Sequence, residues 1–365
     1  MLHGHGGEIY AIARKTGMHV DTLLDFSSNV SPLPLPAGLE QLLSDCIQQI
    51  GHLPEVDSHG VRLALARRFG LEPGQFFIAG GTTEWIYALP LVFRPGRIVI
   101  PVPTYADYID AAACAGTRPL LVDTWHEGDP DDAERILSAV LRAVSVSCDE
   151  GSMVFLCNPN NPTGTFIPPD HIDRAARRAS DTLWVIDESY APFIGPDQES
   201  SLLCRPLPPN CVVLRSFSKI FGIPGLRLGY LVSPGGLSQR LASWARPWQV
   251  NRLAQIAGEW LVDQTGYQQE VREFCIFEKQ WFLQTLAGGE LLKYVHGDTH
   301  FMLFRLRAGV SSSWLCNRLA DRGILIRNCS NFVGLKNGQY VRISPRGHEE
   351  NQRLAREIMA VEREM

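Results

Sequence analysis

Several features that would point away from an ordinary soluble enzyme are missing from this sequence. Its nine cysteines are scattered with no C-x-x-C pair, so neither a disulfide framework nor a thiolate metal cluster is indicated, and reduced thiols are expected. No H-E-x-x-H or similar ligand spacing occurs among the ten histidines. Only His3 and His5 stand two apart, and no metal is expected. Positive charge is short: 34 Lys and Arg against 39 Asp and Glu give a formal net charge of −5. The basic pairs Arg67-Arg68 and Arg177-Arg178 read as solvated helix faces, so nucleic acid is not an expected partner. No uninterrupted apolar run approaches the length of a membrane span, and the opening Met1-Leu2-His3-Gly4-His5 has neither the basic start nor the apolar core of a secretory signal. A cytoplasmic protein without a membrane partner is expected. No internal repeat or low-complexity tract is evident.

The 365 residues are 45% hydrophobic and 20% charged, which suits a packed chain of two domains. From Gln75 to Ser233 short β-branched runs alternate with helical patterns, the mark of an α/β fold with a mostly parallel sheet covered on both faces. The predicted strands are 76–79, 97–101, 119–122, 153–156, 183–187, 212–216 and 228–232. Beyond Trp248 the pattern changes to long amphipathic helices around 253–263 and 267–286, then shorter strands at 301–305 and 340–344. That change predicts a large domain over 31–248, with 1–30 and 249–365 forming a smaller α+β domain. In open sheets of this kind ligands collect at the carboxyl ends of the strands. The residues there are polar: Gly81-Thr82-Thr83, Pro103-Thr104-Tyr105, Asn158 to Gly164, Asp187 to Tyr190 and Ser216 to Lys219.

Four of these segments carry a family resemblance. Asn158-Pro159-Asn160-Asn161-Pro162-Thr163-Gly164, Asp187-Glu188-Ser189-Tyr190, Ser216-Phe217-Ser218-Lys219 and Gly225-Leu226-Arg227-Leu228-Gly229, in that order, resemble the fold-type I pyridoxal-phosphate enzymes. The resemblance implies an aminotransferase-like fold, with a seven-stranded, mostly parallel sheet between helices beside the smaller α+β domain. It implies pyridoxal 5′-phosphate as cofactor and a homodimer.

Each residue type has a physical reason. Lys219 supplies an amine that, once neutral, forms an imine with the cofactor aldehyde; a lone lysine is otherwise a solvated surface residue. Asp187 ends the apolar run Leu183-Trp184-Val185-Ile186, where a carboxylate is costly unless it meets a cation, and a protonated pyridine nitrogen is one. A turn or capping aspartate is the competing reading. Tyr190 and Asn161 resemble the family residues that hydrogen-bond the cofactor's phenolic oxygen. Tyr105 matches the aromatic that stacks on its ring, against the alternative of a core tyrosine. A phosphate needs amide donors at a helix start, hydroxyls and a fixed positive charge, which Gly81, Thr82 and Thr83, then Ser216 and Ser218, then Arg227 supply. Simple helix capping is the alternative for the threonines.

For substrate, Arg342 matches the family arginine that pairs bidentately with a carboxylate, and Asn29 matches its usual partner; an edge-strand surface arginine is the alternative. The family's Tyr-Pro-Asp segment, which sends a tyrosine across a dimer interface, reads His52-Leu53-Pro54-Glu55-Val56-Asp57 here, so that hydroxyl is missing. Three further segments, His5 to Tyr10, Pro247 to Asn251 and Ile326 to Phe332, look like those of the L-threonine-O-3-phosphate decarboxylases of cobalamin biosynthesis, and less like the histidinol-phosphate aminotransferases. His5, Gly6 and Arg327 offer a ring N–H, a bendable backbone and a guanidinium fork for a substrate phosphate, set against an unengaged N-terminus. The expected reaction is decarboxylation of a phosphorylated amino acid, L-threonine O-3-phosphate to (R)-1-amino-2-propanol O-2-phosphate. Alternatives are serine phosphate as substrate, a histidinol-phosphate-type aminotransferase, and a non-catalytic pyridoxal-binding regulator. The last usually carries a DNA-binding segment, and neither terminus has the length or basic charge for one.

Overall fold

A computed structural model of the chain describes residues 6–126, 133–146, 151–335 and 338–365. Its strands are β1 Leu24–Asp25, β2 Phe76–Ala79, β3 Arg97–Val102, β4 Pro119–Asp123, β5 Ser152–Cys157, β6 Thr182–Asp187, β7 Cys211–Ser216, β8 Gly229–Val232, β9 Leu292–Val295, β10 Met302–Leu306, β11 Ile324–Leu325, β12 Arg327–Asn328 and β13 Tyr340–Ile343. Seven of them form one sheet in the order β2-β8-β7-β6-β5-β3-β4. Only β8 runs against its neighbours; the other pairs are parallel. The seven runs expected from the β-branched pattern are these seven strands, each within a residue or so of its predicted ends, the ordinary uncertainty of an element boundary.

The central strands read as continuous apolar runs because both faces are covered. Val154, Trp184, Ile186 and Val213 point to one face, where they meet the helices His59–Phe69, Pro169–Arg178 and Arg252–Leu261. Met153, Phe155, Val185, Val212 and Leu214 point to the other and meet the helices Thr82–Phe93 and Asp107–Cys114. This period of two means that neighbouring residues at a strand end serve different faces.

A second, antiparallel sheet has the order β12-β13-β10-β9. Its inner face packs Met302, Phe304, Val341 and Ile343 against Phe282 of helix Thr265–Leu286 and against Leu354 and Ile358 of helix His348–Arg363. The N-terminal segment joins this lobe: β1 pairs with β11 in parallel and Phe26 is buried in the same core. The two cores do not divide at a single residue of the chain. Ala254, Ala257 and Leu261 sit in the large sheet's core, as do Val271 and Cys275, whereas Phe282 and Leu286 sit in the smaller one. One 22-residue helix, Thr265–Leu286, therefore serves both lobes, which no change of composition marks. No helix among the described residues is long and apolar enough to cross a membrane.

Candidate active site

The site is built where β5, β6 and β7 end. Asp187, the last residue of β6, faces the side covered by helices Thr82–Phe93 and Asp107–Cys114. Its Oδ2 accepts a hydrogen bond from the Tyr108 hydroxyl at 2.8 Å and its Oδ1 one from the Ser189 amide at 3.0 Å. Burial holds the carboxyl above the usual aspartate range, while the bonds from Ser189 and Tyr108 and the nearby Lys219 pull it down. Tyr108 is fully buried and stacked on Phe155 at 5.0 Å. The sequence marked Tyr105 but not Tyr108. The available signal was its place one helical turn beyond Tyr105, whose ring it meets edge-on at 5.7 Å.

Lys219 lies in the single turn Phe217–Ile220 that follows β7 directly, with Ser216 as N-cap accepting from the Ser218 amide at 3.2 Å. Burial first, then the cations Arg342 and Arg227, push its amine down to about 8, with Asp187 opposing. A usable fraction of neutral amine is therefore present at physiological pH.

Helix Thr82–Phe93 starts without a capping side chain: its N-cap is Gly81, at φ 97°. The amides of its first turn are thus left for another acceptor. Thr82 and Thr83 open the helix rather than preceding it, which removes capping as their role. Two glycines permit this geometry. A Cβ on Gly81 would lie 2.7 Å from the Arg227 guanidinium, and one on Gly229 would lie 2.8 Å from the Thr82 nitrogen. Arg227 is held over this end by bonds to the carbonyls of Pro224 at 3.0 Å and Gly80 at 3.3 Å. Gly81, Thr82, Thr83, Ser216, Ser218 and Arg227 line the same cavity as Tyr105, Asn161, Asp187, Tyr190 and Lys219. One end offers amide donors, hydroxyls and a cation; the other offers a buried carboxylate, with an amine in the same cavity. A phosphorylated aldehyde carrying a basic ring nitrogen fits that donor set.

Substrate candidates approach from the smaller lobe. The guanidinium of Arg342, on β13, is buried and donates to the Ser27 carbonyl at 2.6 Å and to the Asn161 side-chain oxygen, and it lies over the Phe301 ring at 5.3 Å. The expected pairing of Arg342 with Asn29 is not observed. The Asn29 amide instead donates to the Tyr190 hydroxyl at 3.4 Å. A backbone carbonyl, which any residue type supplies, takes its place on Arg342, so the sequence carries no trace of the exchange. Burial pushes the Tyr190 hydroxyl up to about 12. Arg327 is the register partner of Arg342 across β12 and β13 and donates to Asn331 at 2.7 Å. Gly6 lies against the Arg342 side of this group: an added Cβ would stand 2.4 Å from the Ser27 carbonyl and 3.5 Å from Arg342. His5 lies outside the described residues, and His52 is exposed at the end of the turn Ile47–Gly51.

On the opposite face of the strand ends is a charge network whose partners the sequence did not reveal. Arg215 bonds Glu188 at 3.2 Å and Asp197 at 2.5 Å, and Asp197 also bonds Arg68 at 2.6 Å. Glu188 further accepts from the Ser201 hydroxyl and the Leu202 amide. Two cations and two anions balance there, which is what a buried ion group requires.

Comparison with known proteins agrees with this geometry. The family model of aminotransferase class I and II matches residues 21–358. A threonine-phosphate decarboxylase of Salmonella typhimurium is 34% identical over 354 residues, covering 96% of this chain and 94% of that protein. A histidinol-phosphate aminotransferase of Methanothermobacter thermautotrophicus is 30% identical over 354 residues, covering 96% and 91%. The crystal structure of L-threonine-O-3-phosphate decarboxylase from Porphyromonas gingivalis superposes with a TM-score of 0.80 at 26% identity, covering 93% of this chain and 99% of that one. With its seven-stranded sheet, its lysine on the turn after β7 and a matching family model over nearly its whole length, the chain belongs to the aminotransferase class I and II family and is a pyridoxal-phosphate-dependent enzyme.

Proposed function

We propose that this enzyme decarboxylates a phosphorylated amino acid, L-threonine O-3-phosphate, to (R)-1-amino-2-propanol O-2-phosphate, the linker of the cobalamin nucleotide loop. The observation that carries the reading is the pair of guanidinium groups, Arg327 and Arg342, facing each other in register on β12 and β13 beside Gly6. Two adjacent buried cations repel each other, and the pair suits a substrate with two anionic groups, a carboxylate and a phosphate. The 34% identity to a threonine-phosphate decarboxylase over nearly the whole of both chains supports the same choice.

Pyridoxal phosphate, when bound, supplies an aldehyde for an amine to join and a ring that accepts the electron pair released at the substrate α-carbon. Gly81, Thr82, Thr83, Ser216, Ser218 and Arg227 would hold its phosphate, Tyr105 its ring face, and Asn161 and Tyr190 its phenolic oxygen. Asp187 would keep a proton on the ring nitrogen. Arg342, braced by Asn161 and the Ser27 carbonyl, would orient the substrate carboxylate, and His5, Gly6 and Arg327 would receive the phosphate. Orientation chooses which bond to the α-carbon breaks, so the carboxylate would be lost as carbon dioxide if these residues held its bond where the cofactor could accept the electrons. Lys219 Nζ then carries a proton back to the α-carbon.

Serine phosphate lacks only a methyl group, and a hydrophobic contact of that size discriminates by about 1–3 kcal/mol. A second reading, an aminotransferase for histidinol phosphate, is favoured by the relative at 30% identity. One assay separates the three. Threonine phosphate, serine phosphate and histidinol phosphate are each incubated with the holoenzyme, with and without 2-oxoglutarate. Carbon dioxide from threonine phosphate without a keto acid is expected; glutamate from histidinol phosphate would refute the decarboxylase. A cytoplasmic homodimer is part of the proposal. Ile50, Leu53, Val56 and Trp248 are exposed apolar groups around one turn, and the Trp248 amide bonds the Val56 carbonyl at 3.0 Å. Sedimentation at twice the chain mass is the expected result.

A further inference from the structure

Between β9 and β10 the chain crosses from the smaller lobe to touch two parts of the site at once. Gly297 presses on the Asn160–Thr165 turn so closely that an added Cβ would lie 2.4 Å from the Thr163 carbonyl. The Asp298 amide donates to the Gly164 carbonyl at 2.9 Å, and its exposed carboxylate accepts from the Phe166 amide at 2.8 Å. Both bonds, and the Gly297 contact, fall on the C-terminal end of the turn that carries Asn161. Two residues on, the buried His300 ring stacks on Phe193 at 3.7 Å and lies 6.1 Å from the ring of Tyr190, while Phe301 meets Tyr190 edge-on at 5.2 Å. Phe193 closes the turn that begins at Tyr190, through a backbone bond of 3.0 Å.

Two side chains hold this crossing segment in shape, and one of them, Lys279 on the helix that spans both lobes, reaches two of its carbonyls at once. Lys279 donates from Nζ to the carbonyls of Gly297 at 2.5 Å and Thr299 at 2.7 Å, and it lies over the Tyr294 ring at 5.6 Å. Tyr294 in turn bonds Gly297 through its hydroxyl at 3.0 and 3.1 Å. Backbone carbonyls that converge on one ammonium cannot be satisfied separately without opening the loop.

We propose that residues 297–300 form a clasp that fixes the Asn161 turn and the Tyr190 segment relative to each other, and that Lys279 is the positioning residue that sets the clasp. Lys279 does not line the cavity; it acts on the chemistry through the loop it pins. The inference rests on the reading of Asn161 and Tyr190 as the pair that tunes the cofactor's phenolic oxygen.

The test uses Lys279→Met, which keeps length and removes the donors, Asp298→Ala, which cuts the exposed end of the clasp, and their double variant. In cofactor-free protein, amide hydrogen exchange at Phe166 and Asp298 should quicken by about tenfold or more in each single variant, since local opening sets exchange. In the pyridoxal-phosphate-loaded protein the pH midpoint of the visible absorbance band should move in the same direction in both. Because both cut one path, the double variant should move it by less than the sum. Lys279→Arg should restore much of the wild-type midpoint. Unchanged exchange in Asp298→Ala, or an unmoved midpoint in either single variant, overturns the clasp. If Lys279→Met does not fold, Asp298→Ala carries both measurements. A wild-type protein with no visible band at all would sink the cofactor-site reading instead, while the exchange data would still report on the loop.

Discussion

Replacing Tyr108 with phenylalanine removes one oxygen from the interior and leaves the packing on Phe155 in place. That oxygen is one of two donors to Asp187, at 2.8 Å from Oδ2, and both side chains are buried. A hydrogen bond to a buried charged group contributes about 1.5–3 kcal/mol, so cofactor-free Tyr108→Phe should lose roughly that much stability near neutral pH. The sign of its pH dependence follows from Asp187. Burial raises the folded-state carboxyl above its ordinary 3.8, so the native state binds more protons than the unfolded chain between 3.8 and that raised value. Stability attributable to this group therefore falls as pH rises through the window and levels off above it. Losing the Tyr108 donor raises the folded value further, which deepens the fall and extends it to higher pH. The deficit of Tyr108→Phe relative to wild type should thus grow from mildly acid to alkaline pH. Urea unfolding of both proteins without cofactor at several pH values measures it. A deficit that is absent, or the same at pH 5 and pH 8, would refute the assignment of Tyr108 as support for an ionised Asp187.

The remaining expectations concern the amine and the anion sites. Borohydride reduction of the holoprotein should label Lys219 alone, and Lys219→Ala should take no label. Because burial lowers the Lys219 amine to about 8, the rate of cofactor capture should rise with pH through about 8 and flatten above it; a rate still rising steeply at pH 10 would contradict the lowered amine. Arg342→Lys loses the planar fork that serves Ser27 and Asn161 together, and kcat/KM should fall by about 30-fold or more, roughly 2 kcal/mol. Gly6→Ala should raise KM with little change in kcat, since the new methyl pushes the N-terminal segment off the Ser27 carbonyl. Because the close atom is backbone, the segment itself must shift, and an unchanged KM would show that it is no part of the substrate site.

Much of this molecule was legible before its structure, for a physical reason. A doubly covered parallel sheet demands continuous β-branched runs, and the loops at their carboxyl ends must be polar to meet a ligand, so strand and site signals fall side by side in the sequence. Asp187 and Lys219 stand out because charged groups at or just after the ends of buried strands need a reason to be there, and Arg227 stands just before one. What escaped notice was of two kinds. Tyr108 and Glu188 have partners far along the chain, Asp187 and Arg215, and an isolated tyrosine or glutamate gives no hint of who meets it. Ser27 acts on Arg342 through its carbonyl, and Lys279 grips two more carbonyls, so side-chain identity was uninformative at the receiving end. Helix Thr265–Leu286 feeds both cores, and an amphipathic pattern does not say which core each turn enters.

The alternation at the end of β6 constrains how the gene can change. Asp187 and Glu188 are joined by one peptide bond yet answer to separate electrostatic systems, one around the catalytic cavity and one reaching Arg68 through Arg215 and Asp197. A codon lost inside 182–187 would shift the strand by one residue and turn each acid to the other face, away from the partners it now has. The same loss in the turn 179–181, ahead of the strand, would preserve that parity. Length variation between relatives is therefore expected to collect in that turn, while the six residues of the strand tolerate exchange of side chains but not of number.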